Sequence, residues 1–114
     1  MLSIIKIDPC EIKYSGKIST VVHIGAGEEV NKYHIARLDY DLKEDFLDEM
    51  IVFIPKEYLG DQVCSEIYQF LSHFKETHPE KDYRVLTNGN FENVSKDILD
   101  DLRRLTVAVA EYTE

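Results

Sequence analysis

The chain has no tryptophan, only two cysteines and three prolines, and no long apolar run. The cysteines, Cys10 and Cys64, lie far apart and form no Cys-x-x-Cys spacing, which argues against a disulfide framework or a structural zinc site. We expect both to be free thiols in a reducing compartment. No window approaches the apolar run of about 18 residues that spans a membrane. Lys6 and Asp8 interrupt the start before a signal-peptide core can form, which predicts a cytoplasmic location.

Basic side chains are also scarce. The 13 Lys and Arg residues stand against 22 Asp and Glu residues, which gives a formal net charge of −9. This charge repels the phosphates of nucleic acids and the headgroups of anionic lipids, so neither is predicted as a direct partner. A basic protein surface is compatible with the charge, because a dense carboxylate surface steers association with Lys- and Arg-rich partners. The composition therefore favours a protein or a small molecule as partner.

The 114 residues suit a single α+β domain, residues 1–114, with 44% hydrophobic residues to build its core. In the first half, residues 2–7 and 17–24 are β-prone segments bounded by turn residues, and residues 32–42 nearly alternate polar and apolar side chains. An apolar run at residues 50–55 is a further strand that ends at a proline. The first half therefore predicts an antiparallel meander of about three to four strands.

The second half predicts a β-α-β unit and a C-terminal helix. Apolar residues recur at three- and four-residue spacing over residues 61–77, which indicates an amphipathic helix. Residues 83–88 form the next strand, and because a whole helix separates it from residues 50–55, the two strands should lie parallel. A second helix begins near Ser95; we predict that it continues through residues 106–113, with a strand there as the alternative. The predicted fold is a two-layer sheet with its helices on one face.

Histidines are the first candidates for metal ligation. Pairing the second and third predicted strands sets His23 opposite His34, with both imidazoles on one face. Zinc needs at least one further ligand, and no spacing supplies it, so a structural or surface pair is favoured over a metal site. His73 and His78 lie on either side of a helix end and are expected to be exposed to solvent. Neither a metal nor a cofactor is predicted.

An acidic cluster lies at the end of the third predicted strand and just after it. Its six carboxylates are Asp39, Asp41, Glu44, Asp45, Asp48 and Glu49. Paired carboxylates bind Mg²⁺ or divide acid and base roles, and Asp39 and Asp41 would share a strand face. No glycine marks a calcium-binding loop here. We therefore favour a solvated face, then a surface for a basic protein partner, and a metal site last.

The loop after the last predicted strand is the candidate ligand site. In a parallel β-α-β unit both strands end at the same edge of the sheet, where ligands commonly bind. That edge would hold Lys56, Tyr58, Asn88, Asn90 and Asn93. Asparagine amides both donate and accept, which suits a neutral or nucleotide-like ligand. The alternative explanation for the same asparagines is an Asn-Gly turn and a helix cap.

Nothing in the sequence indicates a catalytic nucleophile, since Cys64 and Ser65 lie inside the amphipathic helix and no Gly-x-Ser-x-Gly turn occurs. The first functional hypothesis is a small non-enzymatic interaction protein that contacts a basic protein through the acidic cluster. The second is a binder of a small, nucleotide-like ligand at the edge formed by residues 56–58 and 88–93. The third is a metal-dependent hydrolase. If the chain forms a homodimer, residues 105–112 are the predicted interface.

Overall fold

A computed structural model describes residues 1–113 and shows an α+β fold of two layers, which confirms the predicted class. Its strands are β1 (Ser3–Glu11), β2 (Ser19–Glu29), β3 (Glu49–Ile54), β4 (Asp82–Thr87) and β5 (Ala108–Glu111). Its helices are α1 (Lys32–Leu42), α2 (Asp61–Thr77) and α3 (Lys96–Leu105), and a 3₁₀ turn spans Lys56–Tyr58. Within residues 1–113, no helix combines the length and the apolar character needed to cross a membrane.

The five strands form one sheet in the order β1-β2-β3-β4-β5. Strand β1 runs antiparallel to β2, whereas each later pair of neighbours is parallel and is connected by a helix. The predicted parallel β-α-β unit is confirmed as β3-α2-β4, and it is one of three such units in a row. Consequently β2, β3, β4 and β5 all end at the same edge of the sheet, which we call the carboxyl edge.

The helices pack together on one face of the sheet, as predicted. Leu38 of α1, Leu71 of α2 and Leu102 of α3 belong to the same apolar cluster. Val52 of β3 and Val85 of β4 join this cluster, and all of these side chains are fully buried. Because burying one such side chain contributes about 1.5–3 kcal/mol, the layer between helices and sheet is the main source of stability.

The opposite face of the sheet is covered by the connection between β1 and β2 instead of by helices. Val21, Ile51 and Leu86 form a second, smaller buried cluster on this face. Tyr14 of the connection packs against that cluster, and its ring centroid lies 4.9 Å from that of Tyr112. A single connection covers less area than a helix layer, so part of this face stays open near the carboxyl edge.

The predicted meander strand at residues 32–42 is wrong, because this segment is α1. Asn31 caps the helix: its Oδ1 accepts from the backbone N–H groups of Tyr33 and His34, at 2.9 and 3.3 Å. In return, His34 Nδ1 accepts from the backbone N–H of Asn31 at 3.2 Å. The apolar residues of this segment fit the spacing of a helix as well as that of a strand. The cap at Asn31 favours the helix. The antiparallel part of the sheet therefore has two strands instead of three to four.

The predicted helix over residues 106–113 is also wrong, and the alternative of a strand is confirmed. Helix α3 ends before Thr106, whose backbone is extended, with φ −122° and ψ 160°. The backbone N–H of Tyr112 donates to the carbonyl of Thr87 over 2.8 Å, which holds β5 along β4. Pairing with an existing sheet edge satisfies the backbone polar groups of this segment, and the helical stripe in the sequence does not outweigh it.

Candidate functional site

Lys56 and Asn88, two residues predicted to share a ligand edge, are joined directly at the carboxyl edge. The backbone N–H of Lys56, just beyond β3, donates to Asn88 Oδ1, just beyond β4, over 2.8 Å. The buried hydroxyl of Thr87 donates to the carbonyl of Ile54 over 2.6 Å and accepts from the backbone N–H of Gly89 at 3.1 Å. These bonds fix both strand ends and the start of the loop that leads to α3.

A polar notch of about 190 Å³ lies at this edge. Its lining residues are Lys56, Leu59, Gly89, Asn90 and Asn93. Gly89 permits the close approach of the two loops, since a Cβ there would lie 2.7 Å from Lys56 Cβ. The structure therefore brings Lys56, Asn90 and Asn93 together, with Asn88 as the neighbour of Gly89. Ligand binding by these residues stays a prediction.

Tyr58 is the one member of the predicted ligand edge that lies apart from the notch. It belongs to the 3₁₀ turn, and its side chain is 38% exposed. A Cβ placed on Gly25 of β2 would lie 3.8 Å from Tyr58 Cε2, so the ring faces the β2 side of the edge. Tyr58 is therefore not brought together with the asparagines.

The N-termini of α2 and α3 are linked beside the notch by a carboxylate of the chain itself. Asp61, the first residue of α2, accepts the backbone N–H of Ser95 at its Oδ1 over 2.7 Å. Ser95 is the N-cap residue of α3, which begins at Lys96. The start of a helix attracts an anion, and here Asp61 takes that position. A phosphate bound at this point would meet a like charge.

A larger groove of about 440 Å³ opens on the sheet face opposite the helices. This aromatic groove is lined by Tyr14, Phe53, Asn88, Tyr112 and Thr113. The ring centroid of Tyr14 lies 5.9 Å from that of Phe53 and 4.9 Å from that of Tyr112, and both pairs are tilted. Asn88 lines the aromatic groove while its neighbour Gly89 lines the polar notch, so the two depressions adjoin the same loop.

Sequence reasoning missed the aromatic groove because its walls come from distant parts of the chain. Tyr14 lies between β1 and β2, whereas Tyr112 follows β5 at the far end of the sequence. They meet only because the β1–β2 connection folds across the sheet, and no local pattern predicts that path. One signal was available: Phe53 and Asn88 lie near the ends of two adjacent parallel strands, at the edge already predicted to bind a ligand.

His23 lies beside the aromatic groove. Its ring centroid is 5.9 Å from that of Phe53, and its Nε2 is 2.9 Å from Asp8 Oδ2. Burial lowers the pKa of His23 from its usual 6.5, and the Asp8 carboxylate opposes that effect. A neutral imidazole that donates its Nε2–H to Asp8 fits this geometry. His34 is in the first turn of α1, so the prediction that it faces His23 across two strands is wrong.

Asp39 of α1 contacts two histidines at the C-terminal end of α2. Its Oδ1 lies 3.0 Å from His78 Nε2, and its Oδ2 lies 3.4 Å from His73 Nε2. His78 is only 8% exposed, so the expectation that it is exposed to solvent is wrong, whereas His73 is exposed. Across residues 1–113, no group of three or more His, Cys, Asp or Glu side chains is arranged to hold a metal ion. The Asp39 contacts instead tie α1 to α2.

Glu49 is buried and is therefore not accessible to a protein partner. Its side chain is fully buried, with Oε1 3.0 Å from Ser19 Oγ and Oε2 3.4 Å from Arg84 Nε. The hydroxyl of Ser15 also donates to Oε1. A buried carboxylate requires such partners, and these groups supply them. The prediction that Glu49 contacts a protein partner is therefore wrong.

The other acidic residues divide between contacts within the chain and solvent. Asp39 and Asp41 lie two positions apart on α1 and point in different directions, so the predicted shared strand face is wrong. Asp41 Oδ2 lies 3.8 Å from Arg37 Nε. The exposed members of the cluster are Glu44, Asp45 and Asp48. Partner binding by the exposed carboxylates stays a prediction.

The predicted homodimer interface, residues 105–112, is partly used within the chain. Leu105 and Val109 pack against the main core, and Ala110 packs against the smaller cluster. Val107 is 52% exposed, and within residues 1–113 no strand pairs with the outer edge of β5. Homodimerisation through this edge stays a prediction.

Comparison of the chain with protein-family models, with curated proteins and with solved structures found no match.

Proposed function

We propose that the protein binds a small molecule at the carboxyl edge of its four parallel strands. The observation that carries this proposal is the position of Asn88, which lines the aromatic groove and adjoins the polar notch through Gly89. Aromatic walls combined with a few convergent polar groups are the usual composition of ligand sites. The carboxyl edge of parallel strands is also the usual location of such sites in α/β sheets.

The rigidity of this edge supports the proposal. Thr87 is fully buried and uses its hydroxyl both as donor, to Ile54, and as acceptor, from Gly89. Asn88 is held in turn by the backbone N–H of Lys56. Side chains that are already fixed lose little conformational freedom when a ligand binds, so more of the interaction energy appears as affinity.

The charge distribution limits the ligand to a molecule without a phosphate group. The formal net charge of the chain is −9, and Asp61 occupies the anion position at the starts of α2 and α3. Lys56 is a cation that lines the notch, but one lysine does not balance that charge. The nucleotide-like ligand expected from the sequence is therefore narrowed to an uncharged, base-like molecule.

Thermal unfolding tests the proposal. The purified chain is unfolded with and without the small-molecule fraction of a cell extract, and binding raises the midpoint according to the ratio of ligand concentration to Kd. Asn90→Trp places a large ring over the notch, and Tyr112→Ala removes one wall of the groove; at least one of them should abolish the rise. Glu80→Gln, an exposed change away from both depressions, is the matched control. An unchanged midpoint for the wild-type chain would contradict the proposal.

A second candidate function is the binding of a basic protein surface, carried by the exposure of Glu44, Asp45 and Asp48. Phe46, within the same turn, is 52% exposed, and Tyr40 on the adjoining helix is 68% exposed. Aromatic side chains are enriched in protein interfaces, and carboxylates are complementary in charge to an Arg- and Lys-rich partner.

A charge-matched comparison tests this second function. The pair Glu44→Gln and Asp45→Asn removes two charges from the turn, while Glu28→Gln and Glu29→Gln remove two exposed charges beyond it, at the end of β2. A lysine-rich peptide should bind in a salt-sensitive way and should lose affinity only in the first variant. If both variants lose the same affinity, the peptide responds only to the net charge of the protein, and the proposal that this turn is a specific binding surface is contradicted.

A further inference from the structure

We infer that the recognised part of the ligand is an uncharged heteroaromatic ring, which binds in the aromatic groove and accepts a hydrogen bond from the side-chain amide of Asn88. This inference rests on the proposed function and deepens it, because it chooses between the two depressions and gives the chemical class of the ligand.

The size and walls of the groove favour a planar ring. Its volume is about 440 Å³, against about 190 Å³ for the polar notch, and ligand sites usually occupy about 300–1,000 Å³. Three of its lining side chains, Tyr14, Phe53 and Tyr112, are aromatic. The Tyr14 ring lies at tilted angles to the other two, with its centroid 5.9 Å from that of Phe53 and 4.9 Å from that of Tyr112. A further ring extends this geometry by offset stacking or edge-to-face contact.

The side-chain amide of Asn88 offers the groove a hydrogen-bond donor that the described residues do not use. Its Oδ1 accepts the backbone N–H of Lys56, which fixes the orientation of the amide. The Nδ2 group makes no hydrogen bond to any residue from 1 to 113, and the side chain is exposed. A ligand at this position is therefore bound through an acceptor, such as a ring nitrogen or a carbonyl oxygen on the ring.

The charges around the groove exclude ionic ligands. Among residues 1–113, the side chains that line it are all uncharged, so a charged ligand would lose water without a counter-ion in the wall of the groove. A cation is further disfavoured because Lys13 Nζ already lies 5.0 Å from the ring centroid of Tyr14. An anion is disfavoured by the net charge of −9. The ring that fits this groove is uncharged.

NMR titration with a matched set of fragments tests the inference. The probes are carboxamides of pyridine, pyrimidine and purine, each compared with its carboxylate and its aminomethyl analogue, which carry opposite charges. We expect the carboxamides to shift the side-chain amide signal of Asn88 and the ring signals of Tyr14, Phe53 and Tyr112, and to bind more tightly than both charged analogues.

Two isosteric variants identify the groove and the donor. Asn88→Asp keeps an oxygen that accepts the Lys56 N–H but removes the donor, so Kd for the carboxamides should rise about threefold to tenfold. Asn90→Asp is the matched control: its Oδ1 likewise accepts a backbone N–H, that of Glu92 at 3.1 Å, and it adds the same charge beside the notch. This control should leave Kd unchanged. If Asn88→Asp does not fold, Tyr112→Leu replaces it and should also weaken binding.

Each other outcome overturns the inference in a distinct way. Shifts confined to Asn90 and Asn93 would place the ligand in the notch and leave the proposed function standing. Tighter binding of a charged analogue would overturn the uncharged class. If none of the fragments shifts the signals of the groove residues, the inference as a whole is wrong. A ligand retained on the purified chain would in that case still support the proposed function. If no ligand is retained either, both the inference and the proposed function are wrong.

Discussion

The backbone N–H of Lys56 donates to the side-chain oxygen of Asn88 over 2.8 Å, and this bond joins the segment after β3 to the segment after β4. The two residues are distant in sequence, yet the parallel pairing of β3 with β4 brings their strand ends to the same level. The bond holds the Asn88 amide at the position where Asn88 lines the aromatic groove.

Thr87→Val should destabilise the fold, because the Thr87 hydroxyl bonds both strand β3 and the loop after β4. Valine has nearly the same shape but leaves the buried partners, the carbonyl of Ile54 and the N–H of Gly89, without that hydroxyl. We expect the free energy of unfolding in urea to fall by about 1–3 kcal/mol. Thr106→Val, which removes one bond to the carbonyl of Leu102, is the control and should cost less. Equal losses would contradict a special role for Thr87.

Glu49→Gln should destabilise the fold although it is nearly isosteric. Glu49 is fully buried. Its Oε1 accepts hydrogen bonds from the hydroxyls of Ser15 and Ser19, and its Oε2 accepts one from Arg84 Nε. Glutamine replaces one of the two acceptor oxygens by a donor and removes the negative charge beside Arg84, so the free energy of unfolding should fall by about 1–3 kcal/mol. Asp45→Asn, an exposed change of the same chemistry, should have little effect on urea unfolding. A Glu49 variant as stable as the Asp45 variant would contradict the buried network.

His23 should make stability depend on pH. Burial lowers its pKa from 6.5, so as pH falls the unfolded chain takes up a proton at this residue before the folded chain does. The free energy of unfolding should therefore decrease as pH falls below 6.5, and this contribution ends once the folded form is protonated as well. His23→Gln keeps a donor for Asp8 and should flatten that part of the profile, whereas His73→Gln should retain the slope. Identical profiles for wild type and His23→Gln would contradict the assignment.

The two cysteines should differ sharply in reactivity. Both are free; Cys10 is exposed, and Cys64 is buried in α2, where burial raises its thiol pKa to about 11. Since the thiolate is the reactive form, a disulfide reagent at neutral pH should label one thiol in the native chain and two in denaturant. Cys10→Ser should abolish the native reaction. Rapid labelling of two thiols without denaturant would show that α2 opens readily.

The sequence predicts the carboxyl edge but not the whole site, for reasons that particular residues make clear. The sequence shows one helix between β3 and β4, which predicts that the two strands are parallel and end at the same edge of the sheet. The residues that follow the two strands, Lys56, Asn88, Asn90 and Asn93, therefore lie in one region. These residues are few and local to the loops. Tyr58 lies apart from these residues because the 3₁₀ turn places its ring near β2. Nothing in the sequence predicts that turn.

The errors share a cause in tertiary structure. Residues 32–42 alternate well enough for a strand, but Asn31 supplies a helix cap, and α1 also serves as the crossover between two parallel strands. Residues 106–113 carry a helical stripe, but the free edge of β4 offers them hydrogen-bond partners. The aromatic groove depends on Tyr14 crossing the sheet to meet Tyr112. In each case the deciding partner lies elsewhere in the chain.

Native mass spectrometry of the chain, purified without denaturation and then dialysed against the small-molecule fraction of a cell extract, tests the central claim most directly. We expect an additional mass that is lost on denaturation, that corresponds to an uncharged compound and that is reduced in Asn88→Asp but not in Asn90→Asp. A bare chain under these conditions, with no additional mass in either the wild type or the variants, would contradict the claim that the carboxyl edge binds a small molecule.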